Sequence, residues 1–202
     1  MNEQIEKVML DSSAIGWGAR NTTELEIRRG LCDRLRAANP DTFFRHEFTF
    51  FNMPQWRFDV AEFEDGAING FEIKSDQDNT RRLSKQMEGY AKMCKLVTIL
   101  TGYKHCYQVA KIVPGWVGIE LVHSTNGIAR FERVRAPDIN PGWSHGGLIW
   151  MLWSAERKAL FRRYGLKSNA NPLELYRVRP ADFVDCECVE IYRMRKLKEG
   201  GI

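Results

Sequence analysis

Apolar residues recur at helical spacing near the start of the chain and at strand spacing soon afterwards. One stripe, with a spacing of four residues, consists of Ile27, Leu31 and Leu35. This spacing predicts an amphipathic helix that Thr22 or Thr23 can cap and that ends near residue 38, before Asn39 and a proline. The Phe-rich run that follows predicts a strand over residues 42–51.

A hairpin is predicted next. Residues 56–63 and 67–74 both read as strands, and Asp65-Gly66 between them is typical of a two-residue turn. Asn69-Gly70 is a second possible turn, but it would leave too short a segment after it. We therefore place the turn at Asp65-Gly66 and expect Gly70 to mark a bulge or a close backbone approach.

A helix over residues 80–94 and a buried strand over residues 96–100 complete the order helix, three strands, helix, strand. Asp78 or Asn79 can cap this helix, whose apolar face would consist of Leu83, Met87, Tyr90, Ala91 and Cys94. The last crossover should be right-handed and should add its strand to the same sheet. The sequence thus predicts an α/β fold with a mixed sheet, whose core spans residues 22–102.

Residues 103–202 read as an extension packed on this core within a single globular domain. The patterns predict a short helix over 105–113, a hairpin turning at Asn126-Gly127 and a helix over 188–197. Residues 144–164 predict an amphipathic helix whose apolar face contains Leu148, Leu152, Ala155 and Ala159.

Composition narrows the protein class. An apolar fraction of 44% suffices for a core. Five cysteines without a Cys-x-x-Cys pair argue against a disulfide framework, a zinc ribbon and an iron–sulfur cluster. No long apolar run and no signal-like N-terminus are present, so we expect a soluble, cytoplasmic protein without a membrane partner.

Three charged residues are predicted to converge on one patch of the sheet. The Asp65-Gly66 turn sets Asp59 opposite Glu72, and Lys74 follows two residues later on the face that Glu72 occupies. Unpaired like charges would destabilise the sheet, and a bound divalent cation would relieve this. The alternative is a solvated strand face on which Lys74 neutralises the two carboxylates.

This order of elements, with the motif Asp59, Glu72 and Lys74 on adjacent strands, resembles the PD-(D/E)XK nuclease superfamily, the fold of restriction endonucleases and RecB-type nuclease domains. Gln86 and Tyr90 look like the Gln-x-x-x-Tyr element of the RecB-like branch. The resemblance covers residues 22–102 and extends more weakly to residue 166, in the manner of small bacterial and phage members. The motif's proline is replaced by Phe58.

The resemblance implies a metal-dependent nuclease that hydrolyses phosphodiester bonds in DNA, with RNA a less favoured substrate. Mg²⁺ (or Mn²⁺) would be held by Asp59, Glu72, the Ile73 carbonyl and Glu24, the last matching an acidic residue on that branch's first helix. Lys74 would position the attacking water or stabilise the developing charge. Gln86 and Tyr90 would contact the DNA backbone or hold Lys74 in place.

The net charge of +4 comes from the last part of the chain, where residues 141–202 carry 11 Lys and Arg against 7 Asp and Glu. A basic group on the helix over 144–164 consists of Arg157, Lys158, Arg162 and Arg163. We expect it to contact nucleic-acid phosphates without sequence preference. The alternative is a solvated helix end whose cations suit the helix dipole.

A second hypothesis treats the chain as a catalytically silent nucleic-acid-binding or protein-interaction module on a nuclease fold, because a fold does not fix a function. The sequence leaves open the oligomeric state, the form of the nucleic acid and the role of residues 167–202.

Overall fold

The computed structural model describes residues 22–50 and 53–198, together with residue 7. Six strands form its centre: β1 (Phe43–Phe50), β2 (Met53–Glu64), β3 (Ala67–Lys74), β4 (Leu96–Thr101), β5 (Gly118–Thr125) and β6 (Ile128–Arg135). The α-helices are α1 (Glu24–Ala38), α2 (Leu83–Met93), α3 (Tyr103–Ile112), α4 (Ser154–Arg163), α5 (Leu175–Val178) and α6 (Ala181–Lys198). Short 3-10 turns cover Leu148–Met151 and Pro172–Glu174.

The strands form one mixed sheet in the order β1-β2-β3-β4-β5-β6. β3, β4 and β5 run parallel to one another, whereas β1–β2, β2–β3 and β5–β6 are antiparallel pairs. The predicted α/β class and mixed sheet are confirmed. The second hairpin, formed by β5 and β6, was predicted only as part of an extension. It continues the central sheet, because α3 connects β4 to β5 and lets them pair in parallel. The division of the chain at residue 102 stays a prediction.

The first hairpin has the predicted register. Asp65 and Gly66 both have positive φ, at 47° and 68°, as a type I′ turn requires. The β2–β3 ladder runs from Glu64 opposite Ala67 to Val60 opposite Phe71. Gly70 is no bulge, because it is paired within this ladder.

Gly70 is instead a position of close approach. A Cβ atom there would lie 2.6 Å from the Tyr90 ring and 2.8 Å from Cys94 Sγ. The missing side chain therefore lets α2 pack directly onto β3.

The sheet is covered on both sides. On one side α1 packs through Ile27 and Leu31, and Thr23 with Glu26 forms the capping box at its start. On the other side lie α2, α3 and the C-terminal helices, which share a larger apolar core with the sheet. Within the residues that the structure describes, no helix has the length and apolar character needed to cross a membrane.

The predicted cap of the second helix is wrong. α2 begins at Leu83 without a side-chain cap, rather than after Asp78 or Asn79. The Asp78 carboxylate accepts hydrogen bonds from the backbone and hydroxyl of Ser75, at 2.9 and 2.6 Å. Both residues belong to the turn that leaves β3, which delays the helix.

The continuous helix predicted over residues 144–164 is also wrong. Leu152 and Trp153 are extended, and they separate the 3-10 turn at Leu148–Met151 from α4. Ala155 and Ala159 are exposed, while α4 buries its neighbours Leu160 and Phe161. The break is stabilised by Glu156, whose carboxylate accepts a hydrogen bond from the Trp153 backbone N–H at 2.6 Å. Later in the chain, α6 begins well before the predicted residue 188.

Candidate functional site: a carboxylate cluster at a bend in the sheet

Three acidic residues lie in a row across β1, β2 and β3. The pairs on either side, His46 with Val60 and Phe48 with Phe58, set Glu47 opposite Asp59. The β2–β3 ladder ends with Val60 opposite Phe71, and one residue further the Asp59 carboxylate accepts a hydrogen bond from the backbone N–H of Ile73, next to Glu72. Glu47 has a φ of 49°, so the row coincides with a local break in regular strand geometry.

The strands bend at this row. Phe58 packs in the core on the α2 side, whereas Val60 packs in the core on the α1 side. Residues two apart on a regular strand share a face, so β2 changes phase at Asp59. Phe44 and Phe48 of β1 are divided between the two cores in the same way. The acidic cluster therefore occupies a bend rather than a flat patch of sheet.

Glu72 is fully buried and its carboxylate is enclosed by donors. Oε1 accepts hydrogen bonds from Lys74 Nζ and, at 2.5 Å, from Gln86 Nε2. Oε2 accepts a hydrogen bond from the Tyr90 hydroxyl at 2.7 Å. These three donors give the charge the partners that a buried carboxylate needs.

Arg28 of α1 supplies the cation on the other side of the bend. Its Nη2 forms ion pairs with Glu24, one helical turn earlier, and with Glu47 at 2.7 Å. Nη1 donates to the Asp59 backbone carbonyl at 2.6 Å, and the guanidinium lies 4.0 Å from the Asp59 carboxylate. Arg57 makes a further ion pair with Glu47 at 2.6 Å.

Asp59 is held by the neighbouring strand. Its Oδ2 accepts a hydrogen bond from the backbone N–H of Ile73 at 2.8 Å. Burial, followed by the charge of Glu72, raises the pKa of Asp59 to about 7. Three groups lower the pKa of Asp59, namely the Ile73 N–H, Lys74 and Arg28. Their combined effect is too small to return this pKa to its ordinary value.

Most of the residues singled out from sequence border one pocket of about 630 Å³. Its lining includes Glu24, Asp59, Glu72, Ile73, Lys74 and Gln86. Tyr90 lies behind Glu72 in the core and is fully buried, so it reaches the pocket only through that carboxylate. The assignment of roles to these residues stays a prediction.

The fit of this cluster to a magnesium ion can be judged from its free oxygen atoms. Among the described residues, Glu24, Glu47 and Asp59 come close enough together to hold a metal, but Arg28 contacts all three. Both oxygens of Glu72 already accept hydrogen bonds. The buried Gln86 Oε1 has no hydrogen-bond partner among the residues that the structure describes. This arrangement suits an internal ion-pair network better than an open metal site. The Mg²⁺ (or Mn²⁺) ion stays a prediction.

The four basic residues of α4 lie away from this pocket. Arg157 donates to the Leu152 carbonyl at 2.6 Å and borders a neighbouring groove. Arg163 forms an ion pair with Glu187 at 2.7 Å. Lys158 and Arg162 are exposed, and no carboxylate of the described residues forms an ion pair with either.

Sequence reasoning missed Arg28 and Glu47. Arg28 had a readable signal, since it follows Glu24 by one helical turn and so lies on the same side of α1. Glu47 had none, because its place opposite Asp59 depends on the pairing of β1 with β2 and on an uncommon positive φ.

The fold and site together define a mixed α/β protein with an internally neutralised acidic pocket. The family model for bacteriophage P4 protein cII matches residues 19–193, and the chain belongs to this family. Protein cII of Enterobacteria phage P4 is 30% identical over 110 residues, which cover 54% of this chain and 41% of that protein. The chain thus spans about two fifths of that relative's length. No solved structure matches the chain.

Family membership corrects the assignment made from motifs. The chain is not a member of the PD-(D/E)XK nuclease superfamily or its RecB-like branch. Its expected classification as a metal-dependent nuclease and phosphodiester hydrolase is likewise wrong. Most of the motif residues border the same pocket, and their individual roles stay a prediction.

Proposed function

We propose that this protein is a non-catalytic DNA-binding member of the P4 cII family. The observation that carries the proposal is the separation of charge between two regions. Acidic groups at the bend are neutralised by cations of the same chain, whereas Lys158 and Arg162 on α4 remain open to solvent. This proposal follows the second hypothesis raised by the sequence, in which the protein binds nucleic acid but does not cleave it.

The closed state of the acidic pocket supports a non-catalytic role. A hydrolytic metal needs carboxylate oxygens with free coordination positions. Here Lys74, Gln86 and Tyr90 engage Glu72, while Arg28 contacts the acidic groups across the bend. We therefore assign the cluster to holding β1, β2 and β3 together where the sheet bends.

The exposed face of α4 supports DNA binding. Lys158 and Arg162 lie one helical turn apart, and both are exposed without an acidic partner among the described residues. Such cations bind phosphates by releasing counterions from DNA, which gives affinity without sequence information. Arg163 on the same helix is already paired with Glu187 and should contribute less.

The test is a titration of labelled duplex DNA with the wild-type protein and with Lys158→Ala/Arg162→Ala, followed by fluorescence anisotropy over a range of salt concentrations. We expect the double variant to bind more weakly. The log–log salt slope should become shallower by roughly one unit for each DNA phosphate that the variant no longer neutralises.

The matched control is Arg29→Ala/Arg130→Ala, which removes the same charge from two exposed arginines on α1 and β6. β6 lies at the opposite edge of the sheet from β1, and neither arginine belongs to α4. The control should retain affinity apart from a small general charge effect. Equal weakening by both double variants would contradict a binding face on α4, and no binding of DNA by the wild type would contradict the proposed function.

A further inference from the structure

Two tryptophans are exposed at the break before α4. Trp150 is 45% exposed and Trp153 is 57% exposed, although large aromatic side chains are usually well buried. Both line a groove of about 510 Å³ between the end of β1, this segment and α6. We name it the tryptophan groove; its other principal lining residues are Phe48, Arg157, Tyr192, Arg195 and Lys196.

The tryptophan side chains are held in place by cations. The Arg195 guanidinium lies 4.5 Å from the Trp153 ring centroid and 4.8 Å from that of Tyr192. It is anchored by an ion pair with Glu156 at 3.2 Å and by the Met151 carbonyl at 3.3 Å. One face of Trp153 is therefore supported, while more than half of the side chain remains accessible.

The charged side chains that line the tryptophan groove are all cationic, and the charge of one of them, Arg195, is offset by Glu156 beside the groove. Three cations, Arg157, Arg195 and Lys196, belong to its lining, and no carboxylate does among the residues that the structure describes. Arg157 also lies 5.8 Å from the Trp150 ring centroid. The tryptophan groove thus combines open aromatic rings with positive charge, whereas the nearby acidic pocket combines carboxylates with internal counter-charges.

We propose that the tryptophan groove binds an unpaired nucleic-acid strand, with bases stacked on Trp150 and Trp153 and phosphates near Arg157 and Lys196. Sequence-tolerant binding of single strands uses this combination of aromatic platforms and a cationic groove. Bases within an intact duplex are stacked on one another and cannot use the two tryptophan rings. The inference rests on the proposed nucleic-acid-binding function and adds the form of strand that this groove accepts.

A protein partner is the less favoured occupant. The centres of protein interfaces are depleted of charge, whereas three cationic side chains line this small groove. Complementarity of charge therefore favours a polyanion, and the exposed rings favour one whose bases are free to stack.

The test compares a labelled oligothymidylate with a labelled duplex by fluorescence anisotropy. Trp153→Ala and Trp150→Ala should each weaken single-strand binding by about 5- to 150-fold, the loss expected for one stacked base. Duplex binding should change little, and Trp153→Phe should retain much of the single-strand affinity because a phenyl ring still stacks. Phe183→Ala is the matched control, since Phe183 is 50% exposed on α6 but lies outside the tryptophan groove.

The outcomes separate this inference from the function on which it rests. If duplex binding is intact and neither tryptophan variant changes the affinity for the single strand, the inference is wrong but the proposed function stands. Failure to bind either nucleic acid would overturn the proposed function as well. If sedimentation shows that the tryptophan variants instead lose self-association at unchanged single-strand affinity, the groove is a protein interface and the inference is wrong.

Discussion

The carboxylate of Asp59 accepts a hydrogen bond from the backbone N–H of Ile73 at 2.8 Å. This bond lies one step beyond the last β2–β3 ladder pair, at the bend in β2. The side chain takes the place of a strand partner for a backbone donor that would otherwise need one. The structural role of Asp59 is therefore to accept this hydrogen bond. The role needs a side-chain oxygen but no negative charge.

This relationship predicts the effect of Asp59→Asn, whose amide oxygen can still accept from Ile73. In the folded protein Asp59 keeps its proton up to about pH 7, whereas an unfolded aspartate loses it near its ordinary pKa of 3.8. The folded state therefore binds more protons in this interval, and rising pH lowers the free energy of unfolding. Near pH 8 we expect Asp59→Asn to be more stable than wild type by about 1–3 kcal/mol.

Urea unfolding at about pH 5 and about pH 8 measures this effect, which should be smaller at the lower pH. Asp33→Asn, at an exposed position on α1, is the control and should show no comparable gain. A less stable Asp59→Asn protein at the higher pH would mean that the ionised carboxylate stabilises the bend.

Arg28→Met tests whether the guanidinium holds the acidic row together. Methionine can fill much of the space of the arginine stem, but it leaves Glu24, Glu47 and Asp59 without that cation. We expect a loss of about 1–2 kcal/mol in the free energy of unfolding, because Glu24 and Glu47 are exposed and water screens their charges, whereas the hydrogen bond to the Asp59 carbonyl is lost outright. Denaturant unfolding measures the loss, with Arg29→Met on the exposed side of α1 as the control. Equal stability of the two variants would count against the network.

Gly70→Ala tests the close packing of α2 on β3. The added methyl group would lie within 2.6 Å of the Tyr90 ring, which is fully buried and cannot move aside. We expect destabilisation by about 1–3 kcal/mol or more, the usual cost of overpacking a core. Gly115→Ala is the control, because a methyl group there meets nothing within 4 Å. Thermal unfolding should separate the two variants, and similar melting temperatures would contradict the close contact.

Local chemistry made much of the fold predictable. Asp65-Gly66 made the turn predictable, because both positions of the turn have positive φ and this dipeptide tolerates it. This turn then determines which residues of β2 and β3 lie opposite each other. The buried stripes of α1 and α2 were readable from their spacing. The break at Leu152 and Trp153 was not readable, because an apolar run of helical spacing continues through it.

The candidate site was only partly readable from the sequence. The predicted hairpin register brought Asp59 close to Glu72, but the guanidinium of Arg28 reaches Asp59 only through the docking of α1 against the sheet. Glu47 joins them through pairing between β1 and β2. Tertiary contacts of this kind decide whether carboxylates are open to a metal or closed by a cation. The family assignment failed for a related reason, since a shared order of elements and motif residues does not fix a function.

The central claim is that this chain binds DNA without cleaving it and without needing a metal at Asp59. The most direct measurement follows labelled duplex DNA with wild-type protein and Asp59→Asn, each in Mg²⁺ and in chelator, by anisotropy and then by gel analysis of the recovered DNA. We expect the same affinity for both proteins, apart from the ordinary screening effect of added salt, and intact DNA in every sample. Cleavage that requires Mg²⁺ and disappears in Asp59→Asn would contradict the account.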